Sequence, residues 1–200
     1  ASDIAKAPVV GMPLFRYMSD LPRTGKARTV WNYNTNETNL IGEILSRATD
    51  QELSVYLENK IWQPYGMESE ANWMLTYQNG LEYGGCCLSA TLRDYARLGL
   101  FVLDELKKAP DDDSVLPPGW MRESLSPAQA FNGYGYFWWL LGDGIYAAEG
   151  IFGQVIWIDS KNNLVIALQS SWRQAWSDSL EAEWMAFMGC LLYTSDAADE

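Results

Sequence analysis

The chain contains no histidine. That absence removes a Ser-His-Asp triad, a Cys-His dyad and every imidazole metal ligand from its 200 residues. Any general-base chemistry therefore falls to tyrosine, lysine or a carboxylate. Cysteine is scarce: there are three, and two of them, Cys86 and Cys87, are adjacent. So few do not build a disulfide framework, adjacent cysteines pair only with backbone strain, and no spacing suits zinc, so no metal site is expected. Positive charge is short as well, with 14 Lys and Arg against 26 Asp and Glu and a net charge of -12. This balance argues against a nucleic-acid partner, which needs clustered basic residues, and against electrostatic docking on anionic membranes. No apolar run approaches the roughly 18 residues of a membrane span. No basic-then-apolar leader opens the chain, but Ala1-Ser2-Asp3-Ile4-Ala5-Lys6 does not read as a natural start, so the compartment stays open.

What is present is a globular composition, 48% apolar, in a length that suits one domain or two small lobes. Residues 1–30 carry Pro8, Pro13, Pro22, Gly11 and Gly25 and read as loop and short turns. The run Trp31-Asn32-Tyr33-Asn34-Thr35-Asn36-Glu37-Thr38-Asn39 then feeds a helix whose apolar face is Leu40, Ile41, Ile44, Leu45 and Ala48. Tyr33 is held just ahead of that rigid element. It is either a buried aromatic whose hydroxyl finds a partner or a reactive phenol fixed in place. A second helix is expected from Asp50 as N-cap, with Leu53, Leu57 and Ile61 inward and Pro64 as its stop.

Asn79-Gly80 signals a hairpin-like turn, and Gly84-Gly85 permits a tight backbone path. A third helix follows Thr91, with Leu92, Tyr95, Ala96, Gly99, Val102, Leu103 and Leu106 on one stripe. The acidic triplet Asp111-Asp112-Asp113 lies in a proline-bearing surface loop and reads as solvated rather than metal-binding. From about residue 127 the composition turns aromatic and β-like. Strands are expected at Tyr134–Leu141, Ile151–Asp159 and Leu164–Gln169, with turns at Gly142-Asp143-Gly144 and Asp159–Asn163. The last two strands must be antiparallel neighbours. A helix over Trp176–Cys190 closes the pattern, with Leu180, Trp184, Phe187 and Met188 inward. Helices first, then an antiparallel sheet with a covering helix, make an α+β arrangement. The expected divisions are 1–126, 127–190 and a tail, 191–200, that breaks the helical pattern and reads as non-native.

Tyr33-Asn34-Thr35, nine residues before a helical Gly42, is similar to the Tyr-x-Asn motif of the penicillin-recognising serine hydrolase family. Gly84-Gly85-Cys86-Cys87-Leu88-Ser89-Ala90-Thr91-Leu92-Arg93-Asp94-Tyr95-Ala96-Arg97-Leu98-Gly99 resembles its glycine-rich GGGL-x-ATxRDLARFG segment. Glu149-Gly150-Ile151-Phe152-Gly153-Gln154 resembles a GIHGQ version of its third motif. The set is most similar to the class C β-lactamase-related branch that holds 6-aminohexanoate-dimer hydrolase and related esterases. It implies a β-lactamase/transpeptidase-like fold, a helical lobe plus an antiparallel sheet covered by helices, here incomplete.

The resemblance also implies a covalent acyl-enzyme on a small ester or linear amide, with no cofactor. In that scheme a serine of a Ser-x-x-Lys motif attacks the carbonyl, and the lysine and a tyrosine relay its proton. A phenol is a weak base at neutral pH unless a neighbouring ammonium stabilises its anion. Tyr33 is the position that carries over. No serine here has a lysine three residues on, so the nucleophile motif is expected before residue 1 and the chain alone is expected to be inactive. Thr35 stands where the motif has Asn, and Asn34 or Asn36 could take over its contact to substrate. Glu149 or Ala148 would supply a backbone oxyanion donor, and Ser89, Gly150 and Ile151 would line the pocket. Trp138, Trp139, Trp157 and Trp172 read as core or rim aromatics. The alternatives are a binding module that has lost catalysis and a D,D-peptidase. An open strand edge and an apolar face left by the missing part would favour self-association; the oligomeric state itself is not readable.

Overall fold

The computed structural model describes residues 14–23, 25–109 and 113–196. The readings of residues 1–13 and of Asp111 and Asp112 fall outside them. The chain divides into two compact units, residues 1–91 and 92–200, so the composition change near residue 127 lies inside the second.

Among its described residues the first unit is helical, with a short two-stranded ladder. Helix α1 (Leu14–Asp20) packs on α2 (Thr35–Thr49), which packs on α3 (Leu53–Leu57). Asn34 is the N-cap of α2: its Oδ1 accepts the Asn36 N–H at 3.0 Å while its own backbone stays extended. The expected apolar inner face of α2 does not hold. Ile41 and Ile44 are 48% and 52% exposed, Leu45 and Ala48 are exposed as well, and the buried residues are Asn39, Gly42, Glu43 and Ser46. Each polar group on that face is satisfied, which removes the usual cost of burial. Asn39 Oδ1 accepts the Gly85 N–H at 2.7 Å, and Ser46 donates to the Gln51 carbonyl at 2.6 Å. Glu43 accepts from the Phe15 N–H at 3.1 Å and pairs with Arg47 at 2.6 Å. Gly42 is buried because Gly84 lies on it; a Cβ at Gly42 would stand 2.9 Å from the Gly84 Cα.

Asp50 is the C-cap of α2, in the left-handed region at φ 53°, and not the start of the next helix. The first N–H groups of α3 are capped from a distance instead. The Glu82 carboxylate accepts from Leu53 N–H at 3.3 Å, from Ser54 N–H at 3.1 Å and from Ser54 Oγ at 2.5 Å. α3 continues as a π-helical turn over Glu58–Trp62, and a tight turn carries the chain past Pro64. Strands β1 (Asn72–Trp73) and β2 (Leu88–Ser89) pair antiparallel. The Asn79-Gly80 turn between them is present, with Thr76 N–H on the Leu81 carbonyl at 2.8 Å.

The second unit is a four-stranded antiparallel sheet in the order β3 (Trp139–Gly142), β4 (Ile145–Gly150), β5 (Gln154–Asp159), β6 (Leu164–Leu168). Helix α4 (Leu92–Lys107) packs on β5 and β6, and the short α5 (Trp120–Ser124) packs on α4. Gly99 lets α4 close on the sheet, since a Cβ there would lie 2.5 Å from a Val165 methyl. Leu92, expected inside, is exposed, whereas Phe101 and the carboxylates Asp94 and Glu105 are buried. Helix α6 (Asp178–Asp196) belongs to the core of Ala147, Val155, Trp157, Trp184 and Met188, with Trp157 and Trp184 edge to face at 5.6 Å. Phe187, expected inside, is half-exposed, and α6 runs past residue 190, with Leu191 against the core.

Two strand boundaries move. Residues 134–138 bend back so that Tyr134 bridges to Trp139, with Phe137 at φ 66°, and the aromatic run becomes strand only from Trp139. Residues 151–153 turn between β4 and β5, so the strand expected from Ile151 begins at Gln154. Cys86 and Cys87 are joined as a disulfide, against the expectation that adjacent cysteines stay apart; Cys87 takes the left-handed backbone (φ 74°) that the small ring accompanies.

Candidate active site

Tyr33 sits one residue before the N-cap of α2, so the cap that starts the helix also fixes where the phenol emerges. Its ring is 55% exposed and lies 6.1 Å from Trp31, tilted by 51°. The buried-aromatic reading therefore does not hold. Asn34 is engaged in capping, and its Nδ2 also reaches Glu37 Oε1 at 3.5 Å. Thr35 opens the helix with its methyl turned toward Gly85, where a Cβ would come within 2.8 Å. Gly84 and Gly85 thus hold the first turns of α2 closely, and the Asn39–Gly85 hydrogen bond ties the same loop to the helix. Ser89 is exposed on β2, opposite Asn72.

The other predicted residues lie in the second unit, around the β4–β5 turn. Strand β4 pairs with β5 all the way from Ile145 to Gly150, but its ladder with β3 stops at Ala147 opposite Trp139. Successive residues of an antiparallel strand aim their N–H groups at opposite neighbours. Of Ala148 and Glu149, one therefore points its amide toward β5 and the other toward the side that β3 does not cover. The turn itself is fixed: Phe152 N–H donates to the Ala175 carbonyl at 3.1 Å, and Trp172 N–H donates to the Phe152 carbonyl at 3.2 Å. Phe152 and Gly153 both have positive φ, and the Trp172 indole occupies the space a Cβ on Gly153 would need. Ile151 is 65% exposed at its tip.

Glu149 alternates with Ala147 and pairs with Val155, which places its side chain on the α6 face of the sheet. Burial first, and then the negative charge of Glu181, raise its carboxyl pKa to about 7. Its side chain is thus half-buried on that face rather than turned to solvent. Gln154 closes the Glu149–Gln154 stretch at the start of β5. Its Oε1 is buried beside Gly150 with no hydrogen-bonding partner among the described residues, a feature of packing that the sequence does not signal. Trp157 belongs to the core, Trp139 packs against it and Trp172 against Gly153. Among the described residues no cluster of three or more Cys, Asp or Glu is placed to hold a metal ion, and no helix is long and apolar enough to cross a membrane.

A helical unit carrying an exposed tyrosine at a capped helix start, and an antiparallel sheet between helices, define a β-lactamase/transpeptidase-like fold. The chain belongs to the Beta-lactamase family, whose pattern its residues 4–187 match, and so to the penicillin-recognising serine hydrolases. It is 27% identical over 157 residues to the 6-aminohexanoate-dimer hydrolase of Paenarthrobacter ureafaciens, covering 71% of this chain and 39% of that protein. Among solved structures it resembles a Bacillus anthracis protein provisionally assigned as a 6-aminohexanoate-dimer hydrolase (TM-score 0.76, 22% identity, 93% of this chain, 49% of that one). It also resembles a β-lactamase of Mycobacterium bovis (TM-score 0.66, 15% identity, 86% of this chain, 66% of that one). The chain thus spans about two fifths of the curated relative it matches.

Proposed function

We propose that this chain is part of a serine hydrolase that cleaves an ester or linear amide through an acyl-enzyme, with Tyr33 as its proton shuttle. The observation that carries the reading is the exposed Tyr33 phenol held one residue ahead of the α2 N-cap. The match to the Beta-lactamase family and the likeness to 6-aminohexanoate-dimer hydrolase support it. The attacking serine and its lysine belong to a Ser-x-x-Lys motif that these 200 residues do not contain. In this scheme the serine oxygen bonds to the substrate carbonyl carbon, and its proton passes to the Tyr33 oxygen, whose anion the lysine ammonium stabilises. The phenol then returns that proton to the departing alcohol or amine, and water releases the acyl group by the reverse relay. The amide of Ala148 or Glu149 that faces away from β5 stabilises the oxyanion. Thr35, Ser89, Gly150 and Ile151 border the substrate.

The test uses the parent polypeptide that carries the serine motif. Tyr33→Phe is expected to lower p-nitrophenyl ester turnover by about 10²–10⁴-fold, the usual worth of a positioned proton relay. An unchanged rate overturns the assignment. The 200-residue chain by itself is expected to show no turnover above background, and measurable hydrolysis by it would move the nucleophile into this sequence.

A further inference from the structure

The loop between β1 and β2 carries a second chemical group that the hydrolytic scheme does not use. Cys86 and Cys87 are consecutive, both exposed, and joined to each other. Their loop is held at several points. Gly85 N–H donates to Asn39 Oδ1 at 2.7 Å, and Met74 N–H donates to the Cys87 carbonyl at 3.1 Å. The Trp73 indole N–H bridges the carbonyls of Tyr83 and Cys86 at 2.8 and 3.0 Å. The third cysteine, Cys190, is outside this disulfide and exposed on α6 in the second unit.

We propose that Cys86 and Cys87 form a reversible dithiol site that, once reduced, binds a single trivalent arsenical through both sulfurs. Two thiolates are soft ligands that match a soft, three-coordinate centre. Covalent adjacency keeps the second sulfur at hand once the first has bonded, so the second bond closes as an intramolecular step. The anchored loop restricts how far the two can part. A dithiol reductant opens the pair by thiol–disulfide exchange: the cysteines gain two electrons and two protons, and the reductant leaves as its own cyclic disulfide. Phenylarsine oxide then condenses with the two thiols. Two As–S bonds form, the As–O bond breaks, and the oxygen departs as water with both thiol protons.

The test counts thiols on the native 200-residue chain with a chromogenic disulfide reagent. One thiol, that of Cys190, is expected before reduction, three after dithiothreitol and its removal, and one again after stoichiometric phenylarsine oxide. Intact mass should show one phenylarsenic adduct, released by excess 2,3-dimercaptopropanol. Cys87→Gly suits the positive φ at that position and so keeps the loop while removing one sulfur. It and Cys86→Ser are both expected to lose the adduct, whereas Cys190→Ser keeps it. Three reactive thiols before reduction, no protection by phenylarsine oxide, or an adduct that survives Cys86→Ser would each overturn the site.

Discussion

Glu149 offers the sharpest test of how the second unit is packed. Its carboxyl lies on the α6 face of β4, where burial and the nearby charge of Glu181 raise its pKa from 4.5 to about 7. A group that holds its proton more tightly folded than unfolded adds stability that is complete below its unfolded pKa. That contribution is lost as the pH rises through the folded one. Between about pH 5.5 and about pH 8.5 the ceiling on this loss is about 2 kcal/mol. Glu149 is only half-buried, so solvent screening brings the expected figure to about 1 kcal/mol. Glu149→Gln retains the shape and the backbone amide and removes the titration. Urea unfolding of both proteins at the two pH values, followed by tryptophan fluorescence, isolates Glu149 together with its coupling to Glu181, because titrating groups that do not interact with Glu149 cancel in the comparison. Wild type should lose about 1 kcal/mol more than the variant on going to the higher pH. Glu149→Gln should therefore be the more stable protein in alkaline buffer. Equal pH dependence in the two would refute the burial of this carboxyl against α6.

Glu82 should behave in the opposite sense. Burial works to raise its pKa, but the hydrogen bonds from the Ser54 hydroxyl and from the Ser54 and Leu53 amides outweigh it and lower it, so its stabilisation is lost as pH falls through that lowered value. Glu82→Gln is expected to cost about 1–2 kcal/mol at neutral pH, read by denaturant titration, and to flatten the acid limb of stability. Gly42→Ala would press a methyl onto the Gly84 backbone and should cost about 1–3 kcal/mol, seen as a lower thermal midpoint; an unchanged midpoint would refute the close approach of α2 and this loop. The exposed stripe of Ile41, Ile44 and Leu45 is expected to drive self-association, which light scattering should detect and Ile41→Glu with Ile44→Glu should suppress. A monodisperse wild-type monomer would contradict that.

The sequence announced α2, because three asparagines ahead of a periodic run make a helix start legible, and it placed Tyr33 just before that start. It misled about which side of α2 is buried. The rule that apolar residues face inward assumes that polar ones lack partners there. Here Asn39, Glu43 and Ser46 each meet a specific group, and two of those groups, the Gly85 and Phe15 amides, lie 46 and 28 residues away. Periodicity cannot register a partner at that distance. The same blindness explains Asp50, since an aspartate suits a helix start or a left-handed stop equally well. What decided between them was Glu82, which caps α3 from 28 and 29 residues along the chain and leaves Asp50 to end α2. In the sheet, β4 passed unnoticed because Ala147, Ala148, Glu149 and Gly150 make no apolar run. A small residue at Ala147 is nevertheless what the packing requires, for Trp157 lies opposite it on β5 and belongs with Trp184 to the same core. The features the sequence hid are thus those set by long-range complementarity. Among them are, in the first unit, the glycine contact that seats the first turns of α2 and, in the second, the point on β4 where its ladder with β3 ends.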